Sequence, residues 1–186
     1  CNPEPLYDIP DMIVMGEGEE VSNEILDLYK EYKGKTKKEF LRAVCKIEGV
    51  YVPSLYEVSY KEDGTIKEFK PLYDDVPKKV KKRIITNFNE VPYPDKLIVP
   101  YTEIVHDRIM LETFRGCTRG CRFCQAGMIY RPIREKKTDK LMELAESLLK
   151  TTGYNEISLT SLSICDYSDI RNLIYSLIEK YKDEKV

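Results

Sequence analysis

The segment RGCTRGCRFCQAGMIYRPIR places Cys117, Cys121 and Cys124 within eight residues, half of the six cysteines in a chain of 186. Thiolates bind soft metals, so the candidates are an iron–sulfur cluster, a structural zinc and a redox dithiol. A four-cysteine zinc site uses paired C-x2–4-C units set apart in the chain. Here one C-x3-C-x2-C triplet has no second pair, and Cys165 or His106 would have to complete it. A redox dithiol needs only Cys121 and Cys124 and leaves Cys117 without a part. An iron–sulfur cluster with three protein ligands fits best. Full ligation takes four cysteines, and three leave one iron open, as a catalytic metal keeps an open position for substrate. Gly116, Gly120 and Gly127 would let the backbone wrap a bulky cluster. Arg115, Arg119 and Arg122 would offset the negative charge of thiolates and sulfides. The rival from another class is a zinc-stabilised binding module built on the same triplet.

The elements around the triplet read as α/β. Ile109 to Phe114 is a strand that leads into the cysteine loop, and Thr138 to Lys150 is a helix with Leu141, Leu144, Ala145, Leu148 and Leu149 inward, closed by Gly153. Glu156 to Ser161 is a second strand, and Ser168 to Tyr181 a further amphipathic helix. Repeated β-α units imply parallel strands. Two units cannot close a barrel, so residues 106–186 are expected to open a larger sheet or barrel. The loop then sits at a strand's C-terminal end, where α/β folds place their chemistry.

Upstream, the apolar run Met12 to Met15 reads as a buried strand. Gly16-Glu-Gly-Glu-Glu20 follows, then Val21, Ile25, Leu26, Leu28 and Tyr29 at helical spacing. The acidic glycine loop is either a cofactor loop or a strand-to-helix turn whose carboxylates stabilise the helix N-terminus. A second helix, Lys37 to Lys46, carries Phe40, Leu41, Val44 and Cys45 on one face and stops at Gly49. Residues 1–48 are thus expected to be the last α/β unit of a domain. Residues 49–105 read as a connector. Tyr56–Tyr60 and Ile66–Phe69 flank Asp63-Gly64, the turn chemistry of a β-hairpin, and Tyr51, Tyr56, Tyr60 and Tyr73 are expected to pack it. The basic run Lys78 to Arg83 is a solvated helix turn or linker, or a contact to an anionic partner.

Composition narrows the classes. Hydrophobic content of 42% and charged content of 33% fit a globular chain, and a net charge of −2 gives no global field toward nucleic acid or membrane. Fourteen tyrosines with no tryptophan and no matching basic face are not a nucleic-acid signature. No stretch of eighteen apolar residues exists, so no transmembrane helix is expected. The chain begins at Cys1 without a leader and ends on a helical pattern, as an excised piece of a longer polypeptide would. The tight cysteine cluster points to metal and the cytoplasm rather than to secreted disulfides. Cys1, Cys45 and Cys165 read as ordinary thiols, Cys45 on an apolar helix face. His106, the single histidine, could move protons or make a structural hydrogen bond; Arg131 and Arg134 could grip an anion bidentately or brace their own loop.

The triplet after the first strand of an α/β repeat, with Phe123 before its third cysteine, resembles the radical S-adenosylmethionine (SAM) superfamily. The resemblance implies a 4Fe-4S cluster on Cys117, Cys121 and Cys124, whose open iron chelates the amino and carboxylate groups of SAM. One electron then cleaves the sulfonium to a 5′-deoxyadenosyl radical that abstracts hydrogen from a substrate. It places Phe123 near the adenine, and puts Thr160, Ser161 and Ser163 at the second strand end, without the usual Gly-Gly-Glu, to meet the methionine ammonium. Asp166 is a second candidate for that contact. Asn2–Leu6, Met15–Glu20, Gly49–Pro53, Val105–Arg108 and Arg131–Arg134 together look like the branch with an N-terminal cobalamin-binding-like domain. The implied fold is the end of a Rossmann-like cobalamin-type domain, a β-hairpin connector and the first two β-α units of a TIM-like partial barrel. Cobalamin would then belong to the full-length protein. An electron donor such as flavodoxin or ferredoxin is implied as partner, and neighbouring branches suggest methyl or methylthio transfer, with RNA as one substrate class.

Overall fold

The computed structural model describes residues 2–184 and 186, so Cys1 lies outside the described residues. Two compact units divide the chain, the first ending at Ile85 and the second beginning at Thr86.

In the first unit β1 (Ile13–Val14) runs through the acidic glycine loop into α1 (Val21–Glu31), followed by α2 (Lys37–Val44). The strand-to-helix passage matches the sequence pattern, but β1 is short and pairs antiparallel with β2 (Val50–Tyr51), Ile13 opposite Tyr51. Apart from one isolated parallel bridge, Gly16 with Arg83, no parallel pairing forms among the described residues of this unit, so no Rossmann-like sheet is seen in it. Val21, Ile25 and Leu28 form the stripe that meets Leu41 and Val44 of α2 and Cys45 at its C-terminal end. Leu26 and Tyr29, grouped with that stripe by spacing, lie at its border and are exposed. Thr36 starts α2 with a capping box: its Oγ1 accepts from the Glu39 N–H while Glu39 accepts from the Thr36 N–H.

The hairpin is β3 (Tyr56–Tyr60) and β4 (Ile66–Pro71), turned by Asp63, whose Oδ1 accepts from the Thr65 N–H and hydroxyl. Tyr56 stacks on Phe69 with ring centres 4.7 Å apart and donates to Pro77 O at 2.8 Å. Tyr51 and Tyr56 enter the core and Tyr73 packs against it, whereas Tyr60 stays exposed. The basic run is irregular rather than helical. Its Arg83 binds Glu20 (2.7 Å) and Glu24 (2.6 Å), and the Ile85 N–H donates to Glu17 Oε2 at 2.6 Å. The carboxylates of the acidic glycine loop are therefore engaged within the fold.

The second unit follows the expected β-α rhythm: β5 (Ile109–Glu112), β6 (Phe114–Arg115), α3 (Ala126–Ile129), β7 (Arg134–Glu135), α4 (Thr138–Thr152), β8 (Ile157–Thr160) and α5 (Ile170–Tyr181). β5 and β8 are parallel, with Ile109 opposite Ile157 and Glu112 opposite Thr160. Leu141, Leu144 and Leu148 of α4 close over Ile109 and Leu111, with Leu173 of α5 in the same core. The strand expected over 109–114 is two pieces. Buried Thr113 is the joint: its N–H donates to Thr160 O (3.0 Å) and its carbonyl accepts from the Lys136 N–H (2.9 Å). Beyond it β6 leaves β8 and pairs antiparallel with β7. Among the described residues no helix is long and apolar enough to cross a membrane.

Candidate metal centre

All three cysteines of the triplet lie on the excursion between β6 and β7. Its ends are fastened to each other, Phe114 opposite Glu135 and Arg115 opposite Arg134, so residues 116–133 form a closed loop at the C-terminal side of β5. The root is tight. Gly116 is buried at φ 96°, and a Cβ there would stand 2.5 Å from Pro132 O and 2.8 Å from Tyr130 O. Arg134 braces the same carbonyls, donating from Nε to Pro132 O (3.0 Å) and from Nη2 to Tyr130 O (3.3 Å). Of the two sequence readings for Arg134, these contacts are the bracing one. Arg131 Nε reaches toward Cys117 O at 3.5 Å.

Cys117, Cys121 and Cys124 carry free thiols, Cys121 exposed and the other two half-buried. The Cys124 N–H donates to Cys121 O at 3.0 Å, a turn that leads into α3. Between Glu112 and Glu135 the chain has no acidic residue and five arginines. Two of the three arginines expected to balance a cluster also bind carboxylates. Arg115 forks onto Glu112 at 2.7 and 2.9 Å, and Arg119 forks onto Asp166, with Nε 2.7 Å from Oδ2 and Nη2 on Oδ1. Arg122 is exposed.

The Arg119–Asp166 contact brings the turn after β8 to the cysteine loop. Arg119, and after it Ser163, holds the Asp166 carboxyl below the usual carboxylate range, so it is ionised near neutral pH. The Asp166 N–H donates to Ser163 O (2.8 Å), and the Ser163 N–H to Ser161 Oγ (3.2 Å). Thr160 Oγ1 turns back to Leu111 O at 3.2 Å. Phe123 is 93% exposed on the loop. His106 lies before β5, at the strand end away from the loop, and its carbonyl accepts from the Arg108 N–H. Cys165 is exposed beside Asp166.

Among the described residues no three Cys, His, Asp or Glu side chains converge where one metal ion would sit. A single ion gathers its ligands at one point, whereas a cubane holds each cysteine at a separate corner. Three free thiols, no carboxylate within the loop and five arginines suit an anionic iron–sulfur cluster by the chemistry of the donor set. The zinc alternative draws no support from His106, which the fold keeps at the far end of β5.

Sequence reasoning missed the residues behind the loop. The Lys136 side chain is buried, with Nζ 3.6 Å from the Phe88 ring centre, and the Arg115 guanidinium lies 4.8 Å from the same ring. The Tyr167 hydroxyl donates to Lys136 O at 2.7 Å. Phe88 stands between two asparagines and Lys136 between Glu135 and Lys137, so neither carries an apolar periodicity that would have marked it as core.

Comparison with known proteins gives two family matches. Residues 111–186 match the model described as the radical SAM superfamily, and residues 1–53 the one described as radical SAM proteins, N-terminal. An uncharacterized protein of Methanocaldococcus jannaschii is 47% identical over 64 residues, which is 34% of this chain and 14% of that protein. The chain thus spans a small part of that relative's length. No solved structure matches the chain.

Proposed function

The chain belongs to the radical SAM superfamily, and from that premise we propose that Cys117, Cys121 and Cys124 hold a 4Fe-4S cluster that binds SAM. The observation that carries this is the closed β6–β7 loop, which presents three free thiols and no carboxylate beside the C-terminal ends of the parallel pair β5 and β8. When bound, such a cluster supplies the electron that cleaves SAM to a 5′-deoxyadenosyl radical.

The chain's own residues have separable tasks. The three cysteines would hold the cluster through their thiolates, with one iron position left for the SAM amino and carboxylate groups. Exposed Phe123 offers a ring face to adenine. Ser161 and Ser163, with Thr160 behind them, line the strand end that would receive the SAM ammonium, and Asp166, both of whose oxygens Arg119 holds, stands at the turn beyond them. Arg134 and Gly116 keep the loop root closed. A separate low-potential donor of the flavodoxin or ferredoxin kind completes the proposal. Within the superfamily we assign the chain to the branch with an N-terminal cobalamin-binding-like domain; the N-terminal match over residues 1–53 supports a module ahead of the radical domain.

Anaerobic reconstitution with iron and sulfide tests the assignment. The expected product is a brown protein with thiolate-to-iron charge-transfer absorbance. A colourless chain that holds one zinc would contradict it.

A further inference from the structure

We infer that Arg119 and Asp166 form a positioning pair that fastens the cysteine loop to the turn after β8 and sets the charge felt at Cys117 and Cys121. This rests on the cluster reading above. Arg119 stands midway between these two cysteines in sequence. Its guanidinium binds both oxygens of one carboxylate. A two-pronged fork fixes direction as well as distance, which a lysine's single ammonium would not. Asp166 is the anchored partner: its side chain is 20% exposed against 64% for Arg119, and its N–H is tied to Ser163 O. Gly116 and Arg134 hold the root of the loop, and Arg119 holds the stretch between its first two cysteines.

The pair carries no net charge, so Asp166 offsets much of the positive charge that Arg119 brings into the loop between Cys117 and Cys121. Removing either half leaves one full charge there, and charge near an iron–sulfur cluster tunes its potential. Asp166→Asn exposes the guanidinium and favours the reduced, more negative cluster. Arg119→Gln exposes the carboxylate and disfavours it. A tie with a merely structural role would loosen the loop in both variants and give no opposite signs.

The experiment is anaerobic reconstitution of the protein, followed by iron content under chelator challenge and a dithionite titration monitored by electron paramagnetic resonance. We expect iron retention to fall several-fold in both variants. The reduction equilibrium should shift about tenfold upward in Asp166→Asn and about tenfold downward in Arg119→Gln, each about 59 mV for one electron. Arg119→Lys keeps the charge and loses the fork, so iron retention falls while the potential stays near wild type. Shifts of one sign, unshifted potentials in both single variants, or an Arg119→Lys potential that moves as far as Arg119→Gln would overturn the role of the pair. A wild-type protein that takes up no cluster would instead overturn the functional reading, and no variant is needed to see it.

Discussion

Gly116→Ala is the substitution whose effect the loop geometry determines most closely. At φ 96° an alanine carries the left-handed penalty of about 1–2 kcal/mol. Its Cβ would also lie 2.5 Å from Pro132 O and 2.8 Å from Tyr130 O. Both are backbone oxygens braced by Arg134, so no rotamer change relieves the overlap, and forced repacking adds about 1–3 kcal/mol. Gly153 is the control. It caps α4 at φ 74°, and a Cβ added there would meet nothing within 4 Å, so Gly153→Ala carries only the first penalty. The expected losses are about 2–5 kcal/mol for Gly116→Ala and about 1–2 kcal/mol for Gly153→Ala. Amide hydrogen exchange at Phe114, Arg115 and Glu135 reads the opening of the loop root, and iron uptake reads its consequence. Gly116→Ala should accelerate exchange there and lower iron retention; Gly153→Ala should do neither. Equal effects of the two alanines would refute the claim that the close approach of the loop arms shapes the cysteine site.

Three further outcomes are expected. Cys121→Ala should abolish cluster uptake, while Cys45→Ala, in the first unit's core, should keep it at a stability loss of about 1 kcal/mol; iron analysis of both separates the site from an ordinary buried thiol. Phe88→Leu keeps an apolar core residue but removes the ring face beneath the Lys136 ammonium. Urea unfolding should show a loss of about 2 kcal/mol, and an unchanged midpoint would show that the ring does not hold the lysine. Burial pushes the Tyr56 hydroxyl up to about 12. The unfolded phenol ionises near its ordinary value while the folded one keeps its proton, so Tyr56 stabilises fully below about pH 10 and loses that contribution as pH rises toward about 12. Tyr56→Phe should flatten this part of the stability-against-pH curve, and an unaltered slope would contradict the assignment.

Periodicity and turn chemistry made much of this fold legible. The stripe at Leu141, Leu144 and Leu148 identifies α4, and Asp63-Gly64 identifies the hairpin, because both signals are local. The β6–β7 pairing was not legible. Arg134–Glu135 is two polar residues long, and what makes it a strand is the turn of the chain at Thr113, a contact with Thr160 far along the sequence. The same holds at the site. The cysteine spacing marks the triplet directly, but the Arg119–Asp166 fork joins residues 47 positions apart, which a single sequence does not pair. Arg83 shows the converse: a basic run that suggested a linker or an anionic partner has a cation bound by Glu20 and Glu24.

On the proposed assignment, three cysteines leave one iron position to SAM. The most direct test is the electron paramagnetic resonance spectrum of the reconstituted, dithionite-reduced protein, recorded with and without SAM. The expected result is a 4Fe-4S signal that changes when SAM is added and is missing from Cys121→Ala. A signal indifferent to SAM, or one that persists in Cys121→Ala, would contradict it.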